Sequence, residues 1–435
     1  MTADGAPPDP ALLGAMGRAL AHRGTDGRGH HIAGGVGLQH ERLAIIDLAT
    51  GDQPLFGAHG TALIANAEIY NFVELRRELG EENFHTRSDC EPPLLLYQRH
   101  GEEFARHLRG MYAIAIHDPQ EERLLLARDP FGIKPLYYCE GPHGFAFASE
   151  PQALIAAGLV PYGLADAPQQ ELLQLQFTTG RETIFPNIYR VLPGETLTVT
   201  AGRIVARRDD RILPDRPPLQ IDEATALKEL DRVLAESVEL HQRADVPYGM
   251  FLSGGIDSSV LLAMMARLNE RPVRAFTAGF PGTEVQDERA HARRLAAEVG
   301  AEHVEVSFDE SDFWALLPQV AAAVDDPCAD YATLPTFKLA ATAREHGLKV
   351  VLAGEGGDEL FAGYGRYRDA VRSWWSGGPR AMRRHGRFDR LTVLRRDTPA
   401  WRDGIRAAES RFKRDRLTAL QAAQAVDCAD WLPND

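Results

Sequence analysis

The C-terminal half is best characterised by the segment Ser253-Gly254-Gly255-Ile256-Asp257-Ser258-Ser259. It follows a short apolar run, Tyr248–Leu252, and leads into a helix-type segment, Ser258–Leu268. Glycines allow a tight backbone turn, and N–H groups and hydroxyls ahead of a helix form a cradle for phosphate. The lysine of a Walker A loop is missing, so we expect Asp257 to hold Mg²⁺ against the phosphate charge.

Around this loop, strand-type and helix-type segments alternate. Strands are predicted at Val273–Gly279, His303–Val306 and Lys349–Ala353, and helices at Glu223–His241, Glu288–Val299, Phe313–Val324 and Leu334–His346. Such alternation predicts an α/β domain built on a parallel sheet, whose ligands lie beyond the carboxyl ends of the strands. The segments that follow Leu252, Gly279 and Ala353 are therefore the expected binding loops.

The N-terminal half shows a different pattern of predicted strands and helices. Short strand-type runs predominate, at Gly35–His40, Thr61–Asn66, Met111–Asp118, Arg123–Asp129, Gly144–Ser149 and Glu195–Val199, and helices are predicted at Pro10–His22, Asn71–Leu79 and Glu91–His100. This pattern indicates an α+β domain of stacked antiparallel sheets. The segment 209–220 holds three prolines and no apolar periodicity, so we place an interdomain linker there, between domains at 1–208 and 221–435.

Composition narrows the function classes. The 435 residues are 44% hydrophobic and 25% charged, which is ordinary globular composition and excludes a disordered chain. The 48 basic against 62 acidic residues give a net charge of −14, which disfavours nucleic acids and anionic membranes as partners. Four cysteines without CxxC spacing indicate free thiols in a reducing compartment, and no apolar run approaches a membrane span. We expect a cytoplasmic protein.

Two motifs of the C-terminal half resemble those of the asparagine synthetase branch of the N-type ATP pyrophosphatases. SGGIDSS is similar to the pyrophosphate loop of that family, and Ala353–Tyr364 resembles its second signature, SGEGGDELFGGY, with Ala353 and Ala362 as tolerated small replacements. The resemblance implies an adenine nucleotide α-hydrolase-like domain. It also implies ATP-dependent amidation of aspartate to asparagine through a β-aspartyl-adenylate.

The resemblance assigns roles residue by residue. Asp257 and Asp358 would hold Mg²⁺, and Glu355 would be a catalytic acid or base during formation and aminolysis of the adenylate. The residues expected to contact ATP share the two loops and the strands beside them: Phe251, Ser253, Gly254, Gly255, Asp257, Ser258, Ser259, Ala278, Ala353 and Gly354.

Residues 22–154 resemble the family's other domain, a class II glutamine amidotransferase of the N-terminal nucleophile type. The matching segments are His22–Gly27 (HRGTDG), His40–Asp47 (HERLAIID), Asn66–Asn71 (NAEIYN) and Ser88–Glu91 (SDCE). By this resemblance, Arg42 would bind the glutamine α-carboxylate. The Asn66 side chain and the Ala67 N–H would form the oxyanion hole, and Asp89 would bind the α-amino group. The implied glutamine-binding residues are Arg42, Leu43, Ala44, Ile45, Ile46, Asn66, Ala67, Glu68 and Asp89, with Asn66 also catalytic.

The chain departs from the family at both ends. Family members begin MCGIxG, whereas this chain begins MTADG, and Thr2 stands too close to His22 to replace the cysteine at family spacing. The end, Asp430–Asp435 (DWLPND), resembles a (Y/W)LPxD turn that the family follows with a lysine-bearing segment. We therefore expect a fragment that uses ammonia only, or is inactive.

Several alternatives stay open. A relative could amidate or cyclise another carboxylate, as a β-lactam synthetase does, and the Asp325–Tyr331 segment, where substrate contacts are expected, does not settle the substrate. A catalytically dead remnant is the rival from another class, and a tRNA-thiolating pyrophosphatase lacks its cysteines and basic face here. The expected partners are small molecules (aspartate, glutamine or ammonia, and ATP), and a homodimer remains an alternative to a monomer.

Overall fold

The computed structural model describes residues 1–210, 212–213, 216–282, 287–378, 380–389, 391, 393–394, 399–413 and 416–433. They form two compact units: unit 1 comprises Met1–Arg216, Asp325–Ala329 and Gly365–Asp435, and unit 2 comprises Pro217–Val324 and Asp330–Tyr364. The units thus group residues 365–435 with the N-terminal half, whereas the sequence analysis placed them in the 221–435 domain. The domain at 1–208, the linker at 209–220 and the domain at 221–435 therefore stay predictions.

Residues 1–216 form helices and strands in two stacked sheet layers. The helices are α1 (Pro10–Leu20), α2 (Phe72–Leu79), α3 (Pro92–His100), α4 (Pro151–Ala156) and α5 (Asp166–Leu175). The strands are β1 (Gly27–Ala33), β2 (Val36–Arg42), β3 (Leu55–Phe56), β4 (Ala62–Ile69), β5 (Gly110–Asp118), β6 (Arg123–Arg128), β7 (Tyr137–Gly141), β8 (Gly144–Ala148), β9 (Tyr189–Arg190), β10 (Glu195–Thr200) and β11 (Arg203–Asp209). One sheet has the order β11-β10-β6-β5-β4-β3, and the others pair β1-β2 and β8-β7-β9.

Alternation along β4 explains this layering. Leu63 faces one way, into a core shared with helices α2 and α3, whereas Ile64 faces the other, into a core shared with β2 and β7. Because side chains alternate across a strand, one sheet can bury both of its faces. The predicted α+β fold of stacked antiparallel sheets is confirmed.

Five strands of unit 1 were not predicted: β1, β3, β7, β9 and β11. β1 (GRGHHIA) is rich in glycine and histidine and lacks the apolar alternation of a half-buried strand, yet it pairs antiparallel with β2 along its whole length. β11 (RIVARRD) is a charged edge strand on β10, and its charges hid it from a hydrophobicity pattern.

Unit 2 is built on a parallel sheet. Its helices are α6 (Glu223–His241), α7 (Ile256–Leu268), α8 (Arg289–Glu298), α9 (Glu310–Ala323), α10 (Thr333–Glu345) and α11 (Gly357–Phe361). Its strands are β12 (Tyr248–Phe251), β13 (Arg274–Gly279), β14 (Glu302–Ser307) and β15 (Val350–Leu352), in the order β14-β13-β12-β15. Every strand pair is parallel, as the sequence predicts.

Helices cover both faces of this sheet. Met250 of β12 packs with Leu262 and Met265 of α7 on one face, and the next residue, Phe251, packs with Ala343 of α10 on the other. β12 and β15 are neighbours and run in the same direction, so their carboxyl ends lie side by side. This pairing brings the loops after Leu252 and Leu352 to one edge of the sheet.

Residues 365–433 contribute α12 (Gly365–Ala370), α13 (Asp403–Phe412) and α14 (Ala419–Val426) to unit 1. The Asp427 carboxylate, beyond α14, accepts hydrogen bonds from Arg366 Nε at 2.6 Å and Tyr367 Oη at 2.8 Å, which ties this segment to α12. Asn434 and Asp435, the end of the DWLPND segment, lie outside the described residues. Within the described part of the chain, no helix has the length and apolar character needed to span a bilayer.

Candidate functional site

The first site lies at the carboxyl edge of the unit 2 sheet, where the Ser253–Ser259 loop joins β12 to α7. Ser258 Oγ accepts a hydrogen bond from the Ser253 N–H at 3.2 Å, and Ser259 Oγ donates to the Gly255 carbonyl at 2.6 Å. Gly254 has φ +81°, in the left-handed region that favours glycine. Ser253 and Gly255 are exposed. The loop therefore has an ordered internal network and an open outer face at the start of a helix.

The second loop packs directly against the first. A Cβ placed on Gly354 would stand 3.1 Å from the Ser258 nitrogen, and one placed on Gly357 would stand 2.6 Å from Asp257 Cγ. Glycine at both positions therefore favours the close approach of the two loops. The two segments singled out from the sequence, 253–259 and 353–358, are thus brought into contact.

Several carboxylates lie near the contact between the two loops, and burial and their charges raise the pKa values of two of them. Burial and the charge of Asp358 raise the pKa of Asp257. Burial raises the pKa of Glu355 as well, together with the charges of Glu359, Asp330 and Asp358. Like charges held together favour a bound cation, so Asp257 and Asp358 fit a divalent metal.

Few protein ligands are available for that metal. The described residues contain no group of three or more His, Cys, Asp and Glu side chains arranged to hold a metal ion. Mg²⁺ commonly keeps several waters and takes only one or two carboxylates together with substrate phosphates. Asp257 and Asp358 match that number of carboxylates.

The remaining ATP-contact predictions lie on the same edge. Phe251 ends β12, Ala278 stands near the end of the neighbouring β13, and Ala353 follows β15. Thr277, which the sequence analysis did not assign to the site, donates from Oγ1 to the Leu252 carbonyl at 2.6 Å and fixes the base of the loop. Ala362 has φ +58°, so alanine at this family glycine position sits in strained backbone.

The second site is a cavity of about 190 Å³ in unit 1. Eight of the nine predicted glutamine-contact residues line it, and the lining also includes Arg23, His40, Gln53, Ser88, Cys90 and Lys134. Ala44 is the exception: it is buried, and its N–H donates to Asp26 Oδ2 at 2.8 Å. The segments HERLAIID, NAEIYN and SDCE therefore converge on one cavity.

Arg42 lies at one side of this cavity with its guanidinium held in place. Nη1 donates to Asp52 Oδ1 at 2.8 Å, and Nη2 donates to the backbone carbonyl of Asp47 at 2.5 Å. Asp47 is itself fixed, because its carboxylate accepts from the Thr50 and Arg87 N–H groups. A guanidinium anchored in this way is oriented before any carboxylate binds.

The edge of β4 supplies backbone donors to the cavity. The Ala65 N–H donates to Gln53 Oε1 at 2.6 Å, and the Ile69 N–H donates to Asp89 Oδ2 at 2.8 Å, so both point away from β5. Backbone direction alternates along a strand, and Ala67 lies midway between these two residues. Its N–H therefore points the same way, toward the cavity that Ala67 lines.

Two acidic side chains, those of Glu68 and Asp89, also line this cavity. Burial and the charge of Asp89 raise the pKa of Glu68 to about 8, and burial raises the pKa of Asp89 to about 6. Burial lowers the pKa of Lys134, opposed by the charge of Glu68. The cavity thus brings together a guanidinium, two acidic side chains and a lysine, a set that suits a zwitterionic amino acid.

Cys90 and Thr2 are two residues with nucleophilic side chains whose positions relative to this cavity differ. Cys90 lines the cavity, but burial and the charges of Asp89 and Glu68 raise its thiol pKa, which disfavours the reactive thiolate. Thr2 does not line it, and its hydroxyl donates to the Ala6 carbonyl at 2.7 Å.

The Asp325–Tyr331 segment was expected near a substrate, and its part Asp325–Ala329 belongs to unit 1 and makes contacts there. Asp326 Oδ2 accepts from Tyr137 Oη at 2.8 Å and from Arg190 Nε at 2.7 Å, while Asp325 Oδ2 accepts from the Gln152 N–H at 2.8 Å. These two aspartates therefore hold their segment to the N-terminal half rather than facing an open pocket.

Known proteins match both halves of the chain. Residues 2–208 match the family model described as glutamine amidotransferase domain, and residues 229–435 match asparagine synthase. Asparagine synthetase [glutamine-hydrolyzing] 1 of Bacillus subtilis (strain 168) is 36% identical over 363 residues, which are 83% of this chain and 57% of the relative. A putative asparagine synthetase [glutamine-hydrolyzing] 2 of Methanocaldococcus jannaschii is 30% identical over 80% of this chain and 72% of its own length.

A third relative carries a different name. Amidase chyE of Penicillium rubens is 33% identical over 370 residues, which cover 80% of this chain and 54% of that protein. The chain therefore spans little more than half the length of several curated relatives that it matches.

Proposed function

The chain belongs to the asparagine synthetase family, and from that membership we propose that it forms a carboxamide in an ATP-dependent reaction, with aspartate as the carboxylate and asparagine as the product. Since the chain spans only part of the length of most relatives described above, the activity of the whole protein is proposed along with it. The observation that carries the proposal is the contact between the SGGIDSS and AGEGGDE loops at the carboxyl edge of the unit 2 sheet.

The physical logic of the reaction is activation. A carboxylate is a poor electrophile because its negative charge is delocalised, so ammonia does not displace its oxygen directly. Transfer of AMP to that oxygen releases pyrophosphate and leaves an acyl-adenylate, which ammonia attacks with AMP as the leaving group. The N–H groups and hydroxyls of the Ser253–Ser259 loop would bind the departing pyrophosphate at the start of α7.

Three carboxylates have distinct roles in this scheme. Asp257 and Asp358 would hold Mg²⁺, which supplies charge neutralisation on the phosphates when bound. Glu355 sits on the same loop as Asp358, and its raised pKa suits a group that takes a proton from the attacking ammonia.

The unit 1 cavity supports glutamine as the nitrogen donor of the family reaction. Arg42 would bind the α-carboxylate, Asp89 and Glu68 the α-amino group, and Asn66 with the Ala67 N–H the carboxamide oxygen. Within the 435-residue chain we propose that glutamine binds without rapid hydrolysis, because burial suppresses the thiolate of Cys90, the cysteine that lines the cavity. Added ammonia would then be the nitrogen source for this polypeptide.

A second candidate keeps the chemistry and changes the acceptor. The relative named Amidase chyE supports a carboxylate other than aspartate, because its name does not specify an amino-acid product. Nothing in the Asp325–Asp326 contacts selects aspartate, since both side chains bind groups of unit 1.

A panel experiment separates the candidates. The 435-residue chain is incubated with ATP, Mg²⁺, ammonium and one carboxylate at a time: L-aspartate, D-aspartate, L-glutamate, succinate or β-alanine. We expect AMP release that depends on L-aspartate and disappears in Glu355→Gln. Release with another carboxylate would overturn the aspartate assignment and favour the second candidate.

A further inference from the structure

β4 carries the proposed oxyanion donors, Asn66 and the Ala67 N–H. Beyond its short ladder with β3, the edge of β4 is hydrogen-bonded to a side chain and not to a further strand. β3 pairs with β4 through Leu55↔Leu63 and Phe56↔Ala62, and this short ladder ends there. Gln53 stands two residues before Leu55, and Ala65 stands two residues after Leu63. Pro54 and Ile64 would form the next pair of the ladder, and Gln53 and Ala65 the pair after it.

At that position the Gln53 carboxamide takes the place of a peptide group. Its Oε1 accepts from the Ala65 N–H at 2.6 Å, and its Nε2 donates to the Ala65 carbonyl at 3.1 Å. Both residues are buried. A primary amide has the same donor and acceptor pair as a backbone peptide, so one side chain satisfies both polar groups of Ala65.

His40 adds a second donor to the same carbonyl. Its Nε2 lies 3.1 Å from the Ala65 oxygen, and because a carbonyl can only accept, Nε2 carries the proton. Burial lowers the pKa of His40 to about 4, so the ring is neutral and this donor is present throughout the neutral range.

A glycine on β1 leaves the space that the Gln53 backbone occupies. Gly29 of β1 pairs with His40, and a Cβ at Gly29 would stand 1.8 Å from the Gln53 carbonyl oxygen. Any side chain at position 29 would push Gln53 away from β4. The glycine of the GRGHH segment therefore has a packing reason that the sequence alone did not supply.

We propose that Gln53 and His40 are positioning residues, which hold the Ala65 peptide so that Asn66 and the Ala67 N–H face the carboxamide of bound glutamine. The inference rests on the proposed glutamine site. Ala65 immediately precedes Asn66, so a rotation of the Ala65 peptide about its two soft dihedrals would turn the Asn66 backbone with it. Neither residue needs to touch the glutamine carboxamide for this role.

The test compares two ligands that differ only at the group concerned. L-Norvaline has the α-carboxylate, α-amino group and chain length of L-glutamine, but a methyl group replaces the carboxamide. Calorimetric titration of the 435-residue chain gives the dissociation constants of both ligands. We expect Gln53→Met to weaken L-glutamine binding about tenfold, the size of one lost hydrogen bond, and to leave L-norvaline binding unchanged.

Two further variants keep the test decisive. Gln174→Met makes the same substitution at another buried glutamine of unit 1, whose Oε1 accepts from the Phe388 N–H at 3.0 Å, and should change neither dissociation constant. His40→Phe keeps a ring and removes the donor, so it should also weaken the binding of L-glutamine and leave that of L-norvaline unchanged. This variant carries the test if Gln53→Met does not fold.

The outcomes separate this inference from the function it rests on. Wild-type chain that binds neither ligand would overturn the glutamine site itself. Wild-type chain that binds glutamine, with Gln53→Met and His40→Phe that bind it equally well or lose both ligands to the same extent, would overturn the positioning role alone.

Discussion

Gly357→Ala is the substitution from which the structure predicts the sharpest effect on nucleotide binding. The new methyl carbon would stand 2.6 Å from Asp257 Cγ, 2.7 Å from Oδ2 and 3.0 Å from Oδ1. Non-bonded carbon atoms pack at about 3.5–4.0 Å, so the Asp257 carboxylate must move by roughly 1 Å. Asp257 is only partly buried and can move, so we expect the fold to survive.

The consequence falls on the metal. Mg²⁺ requires ligand distances of about 2.0–2.1 Å in near-ideal octahedral geometry, which a displacement of about 1 Å destroys. Loss of one carboxylate contact to a metal that neutralises phosphates should weaken binding of ATP with Mg²⁺ at least tenfold, since hydrogen bonds and contacts to charged groups are worth about 1.5–3 kcal/mol. Binding of ATP in EDTA should change far less.

The matched control is Gly365→Ala. Gly365 also begins a short helix, α12, but a Cβ there meets no atom within 4 Å. Both variants gain the helix propensity of alanine, about 1 kcal/mol in a helix interior, and only one crowds Asp257. Calorimetry with ATP, with and without Mg²⁺, measures the difference. Equal magnesium-dependent affinity in the two variants would refute the placement of Asp257 at the metal.

Three other predictions follow from named contacts. Ala362→Gly should raise the free energy of unfolding by about 1 kcal/mol, because it relieves the left-handed φ of +58°; a lower urea midpoint would contradict this. The folded chain holds a proton on Glu68 that the unfolded chain releases, so stability should fall as pH rises from about 4.5 to 8, and Glu68→Gln should flatten that slope in urea titrations; an unchanged slope would refute the buried carboxyl. Asp326→Ala should cost about 3–5 kcal/mol because it leaves the buried Arg190 guanidinium unpaired, whereas a loss below 1 kcal/mol would indicate a solvated pair.

Much of unit 2 could be predicted because its sequence signals are local. The helix over 223–241 and the strands around the nucleotide loop follow from apolar periodicity, and glycine-rich segments after buried strands mark the binding edge of a parallel sheet. Two loops some hundred residues apart in sequence were expected at one edge, and the pairing of β12 with β15 places them there.

The rest depended on contacts that a single sequence does not reveal. Gln53 and Lys134 line the unit 1 cavity together with residues that are distant from them in sequence, and nothing local identifies either residue as part of a site. The sequence placed the Asp325–Tyr331 segment where substrate contacts are expected, and it did not reveal that Asp326 binds Arg190 and Tyr137. β1 was missed because pairing with β2, not hydrophobic burial, makes it a strand.

The central claim, ATP-dependent carboxamide formation at the paired loops, is tested most directly by the products. The 435-residue chain is supplied with ATP, Mg²⁺, L-aspartate and ¹⁵N-ammonium, and the nucleotides and amino acids are analysed by mass spectrometry. We expect AMP, pyrophosphate and ¹⁵N-asparagine in equal amounts, with all three lost in Asp257→Asn. Formation of ADP and phosphate, or of no more AMP than the Asp257→Asn variant gives, would contradict it.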